Sequence, residues 1–251
     1  MSAQSTLNRE APLTHVFLIR VELDLSTRLH TEVAKEGATV QVLEQVQALA
    51  LKSSCLLVIE RLKQLAPKGL VLELQNLVCR QDLERRYCYI YLSLSEPCVV
   101  ADGLMKEVSE CLRAAFASGS LMPEHLLSGK PAIGFELSRL TQLSHLPGPA
   151  HAIKADVHYV VETDVEEGWW DEITNWYAQE HLPGLASVPG CVVANRYLNL
   201  DAGPRSFACY DLVSQDVLVS PEWLAVRATP WSSKARPHFL NTKREVFPLV
   251  L

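Results

Sequence analysis

The sequence predicts an α+β chain of two tandem units, each running β-α-β-β-α-β, packed sheet against sheet. Three observations lead there. Apolar residues switch between the two-residue period of strands and the 3.6-residue period of helices, in the same order twice. A stretch containing Pro147, Gly148 and Pro149 separates the two runs. Finally, Tyr87-Cys88-Tyr89-Ile90-Tyr91-Leu92 aligns with Phe207-Ala208-Cys209-Tyr210-Asp211-Leu212, a similar order at an offset of 120 residues.

Residues 1–12 are polar and without period, as in a loose tail. Thr14 to Glu22 reads as a buried strand. From 38 to 66, Val42, Leu43, Val46, Leu49 and Ala50, then Leu56, Leu57, Ile59, Leu62 and Leu65, fall at helical spacing. This is one helix, or two with a break near Ser53-Ser54; Pro67 and Gly69 stop it. Leu70 to Val78 and Tyr87 to Leu94 are strands joined by the polar hairpin 81–86. Val100, Leu104, Val108, Leu112 and Phe116 return to helical period over 99–117. Ala132 to Leu140 is the fourth strand, and 143–152 is the linker.

The order then repeats. Ala155 to Thr163 is a strand. Asp164 to Glu180 is a helix with acidic residues at its start, and Pro183 ends it. Pro189-Gly190 turns the chain into a hairpin of Cys191 to Leu198 and Ser206 to Val213, closed over 199–204. Ser220-Pro221 opens a short helix, and His238 to Val250 is the last strand.

Such a unit packs two helices on one face of a four-stranded sheet and leaves the other face apolar and in need of cover. Two units in one chain can cover each other. The expected domains are therefore 13–142 and 153–251, closed as an internal pseudo-dimer. A homodimer on top of it is allowed but not required.

Composition excludes several classes. Hydrophobic residues make up 48% and charged residues 21%, ordinary for a globular chain. Net charge is −6 and no lysine- or arginine-rich run occurs, so no nucleic-acid partner is expected. Val16 to Ile19, the longest apolar stretch near the N-terminus, is far too short for a span, and no signal-peptide pattern precedes it; no membrane association and a cytoplasmic location are expected. Seven cysteines are scattered without a C-x-x-C pair and read as reduced, buried thiols. Phosphate-loop, nucleophile-elbow and dinucleotide motifs are missing.

Several segments of the second half carry a resemblance. They are Trp176-Tyr177, Glu180-His181-Leu182-Pro183, Val188-Pro189-Gly190, Arg196-Tyr197, Tyr210-Asp211-Leu212, Ser220-Pro221-Glu222-Trp223 and Thr229-Pro230-Trp231-Ser232. From about 156 to 248 the chain resembles the dimeric α/β-barrel superfamily of ferredoxin-like domains, specifically its EthD-like branch. The resemblance covers about 40% of the chain; the first half has no matching E-H-x-P or V-P-G segment. It implies a pseudo-dimeric α/β barrel whose first half is a structural partner. The wider superfamily includes cofactor-free monooxygenases, lactone isomerases, polyketide cyclases or dehydratases, and haem proteins, so fold leaves the reaction open.

His181 is the leading candidate for chemistry. At a helix C-terminus the dipole would raise its pKa toward neutral, which suits a general acid or base. Tyr177, four residues earlier on the same face, would hydrogen-bond it. The alternative is that His181 caps the helix. Arg196, on a central strand, would stabilise an oxyanion if it faces the helices; otherwise it pairs with Glu222 or Asp211. Trp176, Asn175, Tyr197, Tyr210 and Trp231 are candidate substrate contacts, because all five tryptophans lie in the second half and rings suit a flat ligand. His158 and His238, on the first and last strands of the repeat, would join the same pocket. No spacing supports a metal, and no cofactor is expected.

The function expected from these residues is a cofactor-independent lyase or isomerase of cyclase or dehydratase type, of the kind used in secondary metabolism. It would act by proton transfer on an aromatic or polycyclic keto compound. Two alternatives stand beside it: a non-catalytic ligand-binding or assembly module, and a cofactor-free or haem-dependent oxygenase.

Overall fold

The structure, a computed structural model, describes residues 12–24, 60, 72–81, 85–117 and 134–249. The helical stretch expected over 38–66 lies outside the described residues, as does nearly all of the expected tail.

Among the described residues there are eight strands: β1 (Thr14–Asp24), β2 (Leu72–Gln81), β3 (Arg85–Cys98), β4 (Gly134–Pro147), β5 (Val157–Val165), β6 (Cys191–Asn199), β7 (Ser206–Leu212) and β8 (Phe239–Pro248). The helices are α1 (Asp102–Ala117), α2 (Trp170–Trp176), α3 (Leu182–Ala186), α4 (Pro221–Arg227) and α5 (Pro230–Ala235). The strands form one sheet in the order β2-β3-β1-β4-β6-β7-β5-β8. Every neighbouring pair is antiparallel. Within each half the order is the same, second-third-first-fourth. The two end strands, β2 and β8, come within 8 Å of each other, Cα to Cα.

The expected linker is half strand. β4 runs on to Pro147 and pairs with β6 from Leu140↔Asn199 to Pro147↔Val193. Pro147 and Gly148 look like breakers, but the turn begins only at Gly148. This pairing makes one sheet of the two halves.

Alternation sorts the side chains of the second half onto two faces. Tyr159 and Val161 of β5, Ala194 of β6, and Ala208, Tyr210 and Leu212 of β7 face the helices, packing with Ile173, Trp176, Leu182, Leu185 and Trp223. Val160, Tyr197, Phe207, Cys209 and Phe247 face the other way. They meet Val16, Leu18, Tyr89, Tyr91 and Leu140 of the first half in a second buried cluster. Residues from both parts of the chain therefore share this cluster.

Three boundaries differ from expectation. Asp164 and Val165 belong to β5, pairing with Leu240 and Phe239, so the next helix starts at Trp170 and not Asp164. Pro183 does not end the helical path. It sits in the first turn of α3, where a missing N–H costs little, and the path continues to Ala186. The short helix after β7 is two helices. Ser220 and Thr229 cap them by accepting from the Trp223 and Ser232 amides at 3.2 and 3.1 Å, each with proline next in sequence. The Pro189-Gly190 turn needs its glycine: φ is +89°, and a Cβ there would stand 2.6 Å from Val217 Cγ2.

Among the described residues Cys88, Cys98, Cys191 and Cys209 are in no disulfide, and no helix is long and apolar enough to cross a membrane.

Candidate active site

Between α2 and α3 the helix widens. Tyr177–His181 form a single π turn, with the Leu182 amide donating to the Tyr177 carbonyl five residues back. Such turns redirect side chains locally. Here Trp176, Tyr177 and His181 collect on the sheet-facing side. The His181 ring stacks on Trp176 at 4.1 Å and 22°, and meets Tyr177 edge to face at 5.4 Å. Glu180 turns the other way: its Oε1 accepts from Trp176 Nε1 at 3.2 Å and from Thr229 Oγ1 at 2.6 Å.

A pocket opens between these helices and the sheet. Its walls are Tyr159, Val161, Trp176, Tyr177, His181, Leu185, Tyr210, Trp223 and Phe239, with Arg227, Arg236 and Arg244 also lining it. It encloses about 30 Å³, room for a water or one small polar group. His181 Nδ1, Tyr210 Oη and Trp223 Nε1 are buried there without a hydrogen-bond partner. Buried polar atoms are nearly always paired, so three orphans at one place call for an explanation.

Electrostatics follow from burial and the arginines. His181 is held down at about 3, first by burial, then by Arg227, Arg236 and Arg196. This reverses the expected rise: the helical path continues past His181, so no C-terminal dipole acts on it, and desolvation disfavours the imidazolium. The imidazole is neutral at neutral pH. Burial pushes the Tyr177 hydroxyl up to about 12 and the Tyr210 hydroxyl well up too, so both remain proton donors.

The low value makes an acid-stability prediction. An unfolded imidazole titrates near 6.5. Between pH 6.5 and 3 the unfolded chain therefore binds a proton that the folded chain does not. The contribution of neutral His181 is complete above 6.5 and falls by about 1.4 kcal/mol per pH unit below it. In urea titrations, wild type should lose about 2–3 kcal/mol more than His181→Phe between pH 6 and pH 4. Parallel pH profiles would contradict the burial of His181.

Of the residues singled out in sequence, His181, Tyr177, Trp176 and Tyr210 line this pocket; the other six do not. Arg196 faces the helices, but its guanidinium lies 3.7 Å from the centre of the Tyr177 ring and donates to Ser206 Oγ at 2.8 Å. It stands behind Tyr177, outside the pocket wall, and makes neither expected ion pair. Asn175 points to solvent. Trp231 Nε1 donates to Glu172 Oε1 at 3.0 Å. Tyr197 lies on the opposite sheet face.

The histidines do not meet. His158 is on that opposite face, with Nδ1 2.6 Å from Asp211 Oδ1 and Nε2 3.2 Å from Tyr91 Oη. His238 precedes β8, stacks on Trp169 at 3.3 Å and bonds Glu166 at 2.7 Å. Tyr177 meets His181 as a ring contact and not through the expected hydrogen bond; His181 Nδ1 has no partner.

Sequence reasoning missed Tyr159, Phe239 and the three arginines. Tyr159 pairs directly opposite Tyr210. Once Tyr210 is placed in the pocket, strand parity puts Tyr159 beside it and His158 on the far face.

Among the described residues no group of three His, Cys, Asp or Glu side chains could hold a metal. A haem would need a histidine nitrogen facing an opening of macrocycle size. His181 faces about 30 Å³, His158 has both ring nitrogens engaged, and His238 is stacked and bonded. These residues do not fit the group.

No family model matches the chain, and no curated protein does either. Solved structures do match in shape. A candidate monooxygenase from Fusobacterium nucleatum superposes with a TM-score of 0.52 at 8% identity, over 95% of this chain and 94% of that one. A mutant chlorite dismutase from Candidatus Nitrospira defluvii, in complex with cyanide, reaches 0.54 at 6% identity, over 94% and 91%. A second mutant of that enzyme reaches 0.50 at 8%, again over 94% and 91%. At these identities the likeness shows the fold, which is of the ferredoxin-like dimeric α/β-barrel type.

Proposed function

We propose that the pocket beside His181 binds a small conjugated carbonyl compound and moves a proton on it without a cofactor, in an isomerisation, cyclisation or dehydration. The observation that carries this reading is the convergence of three unpaired buried polar atoms, on His181, Tyr210 and Trp223, on one aromatic-walled pocket. Neutral His181 Nδ1 accepts the proton of a C–H acidified by the adjacent carbonyl. The Tyr210 O–H and Trp223 N–H donate to the enolate oxygen that results. Return of the proton to another carbon gives the isomer. Tyr177 is the second proton donor, and Arg196, stacked behind it, positions its ring.

The reading takes the chain as two tandem units, 13–142 and 153–251, closed as a pseudo-dimer. The repeated strand order and the buried cluster shared between the halves support it. That Trp176 and Tyr177 of the W-Y pair and His181 of the E-H-L-P segment all line the pocket supports the EthD-like assignment of the second half. About 30 Å³ admits the carbonyl end of a ligand and leaves its ring at the mouth, so a single ring suits the site better than a polycycle.

Solvent deuterium exchange into enolisable aromatic ketones tests this. Wild type should exchange the α-proton about 10²-fold faster than His181→Ala, the usual worth of a positioned acid or base. Equal rates with equal melting temperatures would sink the assignment. An oxygenase would pass the same carbanion to dioxygen, as the candidate monooxygenase of like fold suggests; uptake at an oxygen electrode separates the two. Binding without exchange or uptake would mark a ligand-binding module.

A further inference from the structure

Arg227 closes α4, Arg236 lies in the short helical turn after α5, and Arg244 is on β8; all three line the pocket. Three elements of the fold thus bring arginines to one opening. No carboxylate among the described residues stands within ion-pair distance of any of them. Several other cations are paired: Arg139 with Asp102 and Asp201, Lys234 with Glu172, Arg20 with Glu162 and Glu136. Arg244 lies near the Tyr159 hydroxyl, as Arg227 and Arg236 do, and meets no carboxylate there. In a chain of net charge −6, this is a local reversal of sign. Like charges gathered at a partly desolvated opening repel one another until an anion enters.

We propose that the ligand of this pocket is an anion, a carboxylate borne on an aromatic ring, with its charged end among Arg227, Arg236 and Arg244. The proposal rests on reading the pocket as a ligand site and adds the charge of its occupant. The space and the walls agree with it. The carbonyl end takes the interior of about 30 Å³ and leaves the carboxylate at the mouth among the arginines, and Tyr159 and Phe239 offer flat surfaces to a ring. Burial holds His181 low first and these cations second, and an anion seated there offsets the second cause. Binding and the readiness of His181 to take a proton are then coupled. Glu180, the nearest carboxylate on the same helical path, is engaged by Trp176 and Thr229 on the other side.

Calorimetry with benzoate, benzamide and inorganic phosphate tests the proposal on the full chain. Benzoate should bind at least tenfold tighter than its neutral isostere benzamide, and tighter than phosphate. Its affinity should fall at least tenfold at high salt and in Arg227→Gln/Arg236→Gln. The exposed Arg244→Gln serves as a second variant should the double variant fail to fold. In proton NMR, benzoate should raise the titration midpoint of His181. Equal binding of benzoate and benzamide would overturn the anionic ligand while leaving the pocket reading intact. Phosphate binding as tight as benzoate would overturn the aromatic carboxylate. Binding of none of the three would overturn both.

Discussion

Trp176→Ala is expected to lower the unfolding free energy by about 3–5 kcal/mol, the usual cost of removing a fully buried tryptophan. The indole is wholly inaccessible. It holds three rings at once: His181 stacked at 4.1 Å, Tyr177 tilted at 4.6 Å and Phe239 edge-on at 6.0 Å. Its Nε1 also donates to Glu180, which binds Thr229 at the cap of α5. Truncation therefore empties the junction of α2, the π turn and α5 together. Trp176→Phe keeps an aromatic ring for the stack and loses the hydrogen bond and part of the buried volume, so about 1–2 kcal/mol is expected for it. Urea midpoints measure both. A cost below 1 kcal/mol for the alanine variant would mean that the indole does not fill the core as described. His181 should feel the loss as well: without the stacked ring it gains water, and its titration should move up toward 6.5.

The fold was largely readable from period alone. Alternation located each described strand of both halves, and the Ser220-Pro221 pair announced a capped helix. The site was half readable. Trp176, Tyr177 and His181 lie within six residues, and their clustering is a local signal. Tyr210 could be recognised as helix-facing from its strand. The arginines could not, because Arg227, Arg236 and Arg244 come from three elements and none carries a pattern that points at the others. His158 was misplaced for want of register: whether it faces the helices or the other half depends on which β7 residue it opposes, and that is Asp211, not Tyr210. The π turn leaves no sequence mark, so Pro183 read as a stop. His181 accordingly read as a helix end, where a dipole raises the pKa, when burial lowers it.

The second large effect lies between the halves. Glu162, on β5, is completely buried. Its Oε1 accepts from Tyr89 Oη of β3 at 2.7 Å, and its Oε2 lies 3.5 Å from Arg20 Nη2 of β1. Arg20 also lies over the rings of Tyr89 and Phe207, at 5.7 and 5.3 Å. One carboxylate from the second half thus answers a cation and a hydroxyl from the first. Glu162→Ala leaves Tyr89 without its acceptor and Arg20 with only the more exposed Glu136 at 3.4 Å, and the expected loss is about 3 kcal/mol. The double variant Arg20→Met/Glu162→Leu should recover most of that loss, because apolar groups of similar volume in place of a buried pair are often neutral. Recovery would assign the cost of the single variant to the stranded charge and not to a cavity. Unfolding followed by tryptophan fluorescence reports only the second half, where all five tryptophans lie, whereas far-ultraviolet dichroism reports both. If the shared cluster makes one cooperative unit, the two signals should coincide in wild type and shift together in Glu162→Ala. A single variant costing less than 1 kcal/mol, or two separated transitions in wild type, would mean that the halves are held together by the β4–β6 pairing alone.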